Sequence, residues 1–414
     1  MNSPSPAEPA RTPSWKWIVC GLLLLASAIN YMDRQTLANA AVRISREFAL
    51  TQTQYGNVEA YFGYAFAAGS LVFGWLADRV SVRRLYAAVL VLWSIAGFAT
   101  GFVKSYDGLL VCRTLLGFFE AGHWPCGIRT TRTLLDPRQR SLGNGVLQSG
   151  ASFGAIITPL IMQALMTPVL GTWRLPFFAV GAAGLLWIVP WFLLLKGTDL
   201  QPPAISDNLS SAPRTTRFRA VLLSRRMLIV FFVIACINTT WQILRAWLPK
   251  VLQEGRGYSE AQALYFNSAW FAATDIGCLA AGAIAAWLAK RWLSVHAARV
   301  AIFAVCAALC ATCVLVPWLG KGWPLLFVLA LGGAGALGVF PIYHAFTQDI
   351  SGEHQGKITG MAGVVTWIVT GQMQHLFGWL ADRTGSFDLG LALAAFLPVL
   401  TILPLWLFWN KQTS

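Results

Sequence analysis

The sequence predicts an all-α integral membrane protein: twelve transmembrane helices in two six-helix bundles. Three observations lead there. Of the 414 residues, 56% are hydrophobic and only 12% are charged, about half the charged share of soluble domains. Apolar runs of membrane-spanning length recur along the whole chain. A polar stretch, 197–224, holding Pro202, Pro203, Pro213, Arg214, Arg217 and Arg219, divides those runs six and six. The spans fall near 17–37, 54–77, 85–103, 108–130, 141–165, 174–195, 226–250, 260–288, 298–318, 323–347, 357–380 and 388–409. Residues 1–14, rich in Pro and Ser, read as a disordered cytoplasmic tail. Residues 15–196 read as the N-terminal bundle, 197–224 as a cytoplasmic linker and 225–414 as the C-terminal bundle.

A net charge of +14 would suit a nucleic-acid binder by number alone, but its placement excludes that reading. With both termini cytoplasmic, 20 Lys and Arg fall in the termini and even-numbered loops, and 8 fall in the odd-numbered loops. The remaining 3, Arg34, Arg113 and Arg245, lie within spans. That asymmetry is the positive-inside pattern, and basic flanks suit an anionic inner leaflet. The eight cysteines form no disulfide framework; Cys306, Cys310 and Cys313 share a helical face and read as small packing residues rather than metal ligands. Arg11, Lys16 and Ala26-Ser27-Ala28 imitate a cleaved signal peptide, but the apolar run continues to Tyr31 and the later topology needs this helix. No G-x-S-x-G, H-E-x-x-H or P-loop pattern occurs, so neither an enzyme nor an ATP-driven pump is expected. No cofactor is expected.

The first span carries Asn30-Tyr31-Met32-Asp33-Arg34 toward its outer end. Asp33 and Arg34 read either as solvated at a helix end or as part of a site; Asn30 and Arg34 continue one polar face into the membrane, which favours the site. The second span ends at Gly74-Trp75-Leu76-Ala77-Asp78-Arg79, a basic hairpin whose charges suit a cytoplasmic latch. The fourth span holds Arg113, Gly117 and Glu120, then Gly122-His123-Trp124-Pro125. Seven residues are nearly two helical turns, so Arg113 and Glu120 share a face roughly 10 Å apart. Ionisable groups at membrane depth point to function. An Asp33–Arg113 contact is compatible with their depths, and Glu120 should lie deeper, near the midplane.

These motifs resemble the major facilitator superfamily. The Gly74–Arg79 stretch resembles its loop 2–3 signature. Asn30-Tyr31-x-Asp33-Arg34 and Arg113-x-x-x-Gly117-x-x-Glu120-Ala121 resemble its anion:cation symporter branch, which includes carriers of hexuronates, galactonate, glutamate and sialic acid. The resemblance spans nearly the whole chain and implies two pseudo-symmetric bundles, each of inverted three-helix repeats, with the site between them.

The fifth span opens with Gly143, Gly145, Gly150 and Gly154, small residues that let helices approach, and Gln148 is its cavity candidate. In the second half, Arg245 either faces the cavity as a second cation or snorkels to the interface. Asp275 reads as a buried pair, a coupling carboxylate or a cap. His344 reads as packing or as a proton carrier. Gly378-Trp379-Leu380-Ala381-Asp382-Arg383 repeats the latch sequence on the outer side, where it reads as a chance or vestigial similarity and no gate is expected. A guanidinium grips a carboxylate with two parallel hydrogen bonds, so Arg34, beside Tyr31, is the expected substrate contact. Trp124, Gln148, Tyr343, Thr366 and Trp367 are expected against the substrate's body, and Asp33, Arg113 and Glu120 in proton coupling. The expectation is a monomeric, proton-coupled symporter of organic anions, sugar acids such as hexuronates or aldonates, in a bacterial inner membrane. The alternative is a facilitator or exchanger of the same fold carrying dicarboxylic or aromatic acids.

Overall fold

The computed structural model of the protein describes residues 14–77, 79–136, 138–196, 199–200, 224–348 and 355–408. The N-terminal tail to residue 13, most of the expected linker and the latch residue Asp78 lie outside them.

Helix α1, Ser14–Glu47, is 34 residues long, about 50 Å at 1.5 Å per residue. It runs well past the end expected near residue 37. Arg34 is therefore mid-helix rather than at a terminus, and Asp33 and Arg34 are 1% and 3% exposed, which removes the solvated-end reading. The helix continues because its far end is covered: Ala38, Ala40, Ala41 and Ile44 are buried. Next come α2 (Gln52–Ala77) and α3 (Val82–Thr100).

The expected fourth span is split into α4 (Tyr106–Glu120) and α5 (His123–Leu134). Pro125 is the physical cause. It has no N–H for the carbonyl of Ala121 four residues earlier, and its ring crowds that carbonyl. The helix therefore turns at Ala121-Gly122, immediately after Glu120. Helices α6 (Arg140–Leu165) and α7 (Arg174–Leu194) complete the first half.

The second half contains α8 (Arg225–Lys250), α9 (Glu260–Arg291), α10 (Val295–Ala311), α11 (Trp323–Gln348), α12 (Gln355–Thr384), α13 (Asp388–Leu400) and α14 (Ile402–Phe408). Pro404 breaks the last passage at Thr401 by the same logic as Pro125. Among the described residues, ten helical stretches are long and apolar enough to cross a membrane. The two other expected spans are helical too: one is the α4–α5 pair, the other α12. Helix α12 is too polar to qualify because Thr366, Thr370, Gln372, Gln374 and His375 lie along it. Much of that polarity is directed at other helices. Gln374 donates to the Gln242 carbonyl at 3.0 Å and accepts from Trp247 at 2.6 Å.

Helix α2 packs along α12 and α6 along α9, joining the halves, while α1 with α6 and α9 with α11 pack within them. Close approach of α2 and α12 depends on glycine. A Cβ at Gly56 would meet the Gln374 backbone, and one at Gly378 would meet the Gln52 backbone. Three apolar cores follow this plan. One has its buried residues in the first half, around Leu23, Trp93 and Trp191, with Trp367 of α12 packed against it, and one lies in the second, around Ile237, Phe303 and Phe346. The third joins Leu37, Ile44 and Tyr55 to Leu244, Trp247 and Leu252. Because Ile44 and Tyr55 flank the turn from α1 to α2, the halves are sealed together at that end. Leu71, Leu186, Leu193, Leu279 and Leu393 stand exposed outside, an apolar surface suited to acyl chains.

Candidate functional site

Helices α1, α2 and α4 bring most of the charges to the seam between the halves. Arg34 Nε donates to Glu120 Oε2 at 2.6 Å, both side chains being buried. The Arg34 guanidinium carbon lies 5.2 Å from the Tyr31 ring centroid, 5.3 Å from Phe62, 5.0 Å from Phe66 and 5.5 Å from Trp367. Three of these rings come from the first half and Trp367 from α12. Such a cage favours a cation through the ring faces. Arg34 Nη2 and Glu120 Oε1 have no hydrogen-bond partner among the described residues.

Arg113 is paired differently from the sequence expectation. Its Nη2 lies 3.2 Å from Glu59 Oε1, with no Asp33–Arg113 hydrogen bond, while Arg245 Nη2 lies 2.9 Å from Glu59 Oε2. The reason is geometric. Gly117 lets α4 lie directly on α2, where its Cβ would strike the Phe62 backbone, so Arg113 faces the Glu59 turn of α2. Asp33 instead turns toward α3: a Cβ at Gly97 would lie 2.6 Å from Asp33 Oδ1. Both Asp33 oxygens are without partners among the described residues. Arg245 does not snorkel; it is 2% exposed and also donates to Gln242 Oε1 at 2.5 Å.

Glu59 was missed in the sequence although it is the sole acid within the expected second span, 54–77. It lies two turns into α2, which begins at Gln52, and carries no motif around it. Its lone occurrence was the available signal.

Other candidates are spread more widely. Trp124 is half-buried against His123, ring centroids 4.9 Å apart. His123 itself is a packing residue, with Nε2 2.9 Å from Ser27 Oγ and Nδ1 2.9 Å from Tyr86 Oη. Gln148 is exposed on α6. Tyr343 belongs to the second half's own core. Thr366 Oγ1 donates to the Ala362 carbonyl of its own helix at 2.7 Å. His344 Nδ1 lies 2.9 Å from the Phe340 carbonyl, also within its helix. Asp275 accepts from Ser152 at 2.8 Å, tying α9 to α6 across the halves. In the loop motif, Gly74 has open space at its Cβ position and Arg79 stacks on Trp75 at 3.9 Å.

The sealed end has its own polar ties. Arg43 grips Glu260 with Nε to Oε1 at 2.7 Å and Nη2 to Oε2 at 2.5 Å. Lys250 donates to Ser45 at 2.9 Å. Asp382 corrects the view that the second Gly-Trp-Leu-Ala-Asp-Arg stretch is vestigial. Its Oδ1 accepts from the Gln52 N–H at 2.8 Å and its Oδ2 from the Thr53 N–H at 2.7 Å. It thus caps the N-terminus of α2 from the opposite half, in favourable alignment with the helix dipole.

Comparison with known proteins agrees with this architecture. The family model described as Major Facilitator Superfamily matches residues 23–371. The chain is 26% identical to "Probable sulfoacetate transporter SauU" of Cupriavidus necator, over 90% of this chain and 89% of the relative. It is 24% identical to the hexuronate transporter of Escherichia coli K12, over 94% and 93%. "Probable galactarate/D-glucarate transporter GudP" of the same organism is 26% identical, over 91% and 89%. Among solved structures, a bacterial homologue of the human lysosomal transporter Spinster aligns with a TM-score of 0.78 at 16% identity, covering 96% of this chain and 97% of that one. A D-xylose–proton symporter aligns at 0.74 and 15% identity, covering 97% and 100%. A fold built of membrane-spanning helices, a charged seam between its halves and a family match over most of its length make this chain a membrane transporter, not an enzyme, of the major facilitator superfamily.

Proposed function

We propose that the protein is a proton-coupled symporter of small organic anions of the sugar-acid class, working by alternating access. The observation that carries this reading is Arg34. It is a buried guanidinium between the halves, caged by aromatic rings, with one nitrogen unpartnered among the described residues. A substrate carboxylate bound there competes with Glu120 for the guanidinium, and protonation of Glu120 releases Arg34 to that carboxylate. Substrate and proton then enter the site together. Asp33, unpartnered nearby, is the second candidate for a proton, and Tyr31 and Trp367 border the space for the hydroxylated body. The names of the relatives, transporters of sulfoacetate, hexuronate and galactarate/D-glucarate, support an anionic substrate of the sugar-acid class.

The two halves, 15–196 and 225–414, act as the rocking units joined by 197–224. The sealed α1–α2 end is assigned to the outside, because the Lys and Arg asymmetry puts both termini in the cytoplasm and the chain in a bacterial inner membrane. The conformation described is then open toward the cytoplasm.

Proteoliposomes test the coupling. Uptake of a labelled hexuronate or aldonate should be driven by an imposed inward proton gradient. Uptake indifferent to that gradient, yet accelerated by internal substrate, would sink symport and leave exchange in its place.

A further inference from the structure

The Glu59 cluster holds more positive than negative charge. One carboxylate is shared by two guanidiniums, and Arg113 Nε, Arg113 Nη1 and Arg245 Nη1 are buried with no partner among the described residues. Both arginines are 2% exposed, so bulk solvent does little to satisfy them. Buried polar groups are ordinarily hydrogen-bonded, and those that are not call for an explanation.

The cluster's position matters as much as its charge. Arg34 and Arg113 lean on the same Phe62 ring, at 5.3 and 4.4 Å from its centroid. Along α2 from the sealed end the order is Glu59, Phe62, Phe66. The cluster therefore lies between the Arg34 cage and the seal, one side of a ring away from the first anion contact.

Charge counting points the same way. Arg34, Arg113 and Arg245 face Asp33, Glu59 and Glu120. If Asp33 and Glu120 each carry a proton, the six side chains sum to two positive charges, the complement of a dianion.

Resting on the reading of Arg34 above, we infer that Arg113 and Arg245 form a second anion subsite, so that the favoured substrates are dianions with an acidic group at each end of a short chain. One end engages Arg34. The other takes the unused N–H groups of Arg113 and Arg245, with Glu59 holding the two guanidiniums in place. Because Arg245 belongs to the second half and Arg113 to the first, the distal anion also bridges the halves. Glu59 is thereby a specificity-determining residue: it supplies the negative charge that a monoanion leaves in place and that a distal anion must share.

The test is equilibrium binding to the purified full-length protein of three probes with one carbon skeleton: an aldarate, the matching aldonate and the neutral alditol. The aldarate should bind at least about tenfold more tightly than the aldonate, the alditol not measurably. Arg245→Gln should cost the aldarate at least about tenfold more than the aldonate, as truncating one partner of a buried charge pair does. Glu59→Gln, which lifts competition for both guanidiniums, should widen the aldarate preference. Equal affinities for aldarate and aldonate, or equal losses in Arg245→Gln, would overturn the second subsite while leaving the Arg34 reading intact. An alditol that binds as well as the acids would bring down the Arg34 reading itself. Should Arg245→Gln yield no folded protein, the unmodified protein decides: an aldarate that binds no more tightly than the aldonate refutes the inference.

Discussion

The two halves contribute unequally to the seam between them. Around the buried ion pairs the first half brings Asp33, Arg34, Glu59, Arg113 and Glu120, whereas the second brings Arg245 and otherwise neutral groups such as Gln242, Gln374 and Trp367; its Lys250, Glu260, Asp275 and Asp382 reach the first half elsewhere along the seam. The difference has a physical logic. Burying ions is costly unless their geometry is fixed, and a bundle that moves as one body keeps its own ion pairs intact through a conformational change. The Arg34–Glu120 and Arg113–Glu59 pairs are of that kind, within the first half. The Arg245–Glu59 pair is not: it must stretch or break whenever the halves separate at that level. The neutral face of the second half can slide away more cheaply.

Four experiments would break or sharpen that contrast. The largest effect is expected from Arg34→Ala, which should abolish uptake and weaken sugar-acid binding by about 2–5 kcal/mol, read by calorimetry. Full affinity in that variant would mean the charged half does not hold the anion. Next, Glu59→Ala leaves two buried guanidiniums without their shared counter-ion and should cost about 3–5 kcal/mol of stability, measured by thermal or denaturant unfolding in detergent. A cost below about 1 kcal/mol would place the pair among weak surface-like contacts. Glu120→Gln should keep substrate counterflow at near wild-type rates but lose proton-driven accumulation. Accumulation that persists against a gradient would remove Glu120 from coupling.

The smallest effect is expected at the rim. Asp382→Ala removes the cap on α2 and should cost about 1–2 kcal/mol, seen as faster thiol labelling of a cysteine introduced at Ala41, buried behind the sealed end. Unchanged labelling would show that the Arg43–Glu260 and Lys250–Ser45 ties hold that end without help from Asp382.

Much of the site could be read one residue at a time and very little of it two at a time. Arg34, Arg113, Glu120 and Arg245 stand out in the sequence because each is an ion in an apolar run. Their partners do not, since pairing depends on how α1, α2, α4 and α8 cross. Those crossings are set by close contacts such as Gly117 against Phe62 and Gly56 against Gln374. Glu59 escaped notice because no motif surrounds it and its two arginine partners come from α4 and α8. Asp382 was misjudged for the opposite reason: its motif was visible, but its purpose lay on a helix more than three hundred residues away in sequence. Helix α1 ran longer than expected because hydropathy measures affinity for lipid, whereas its last three turns are covered by protein.

Local chemistry in the chain was enough to determine that it crosses a membrane many times, where the passages run, that a polar segment divides them, and which few ions lie at depth. Hydropathy, helical period and proline act over tens of residues at most and leave their mark directly in the sequence. Only the tertiary structure decided which ions pair, which end is sealed, and that Asp382 closes on α2. Those outcomes depend on distances of a few ångströms between helices that are remote along the chain, and such distances are fixed by packing across the seam rather than by any stretch within it.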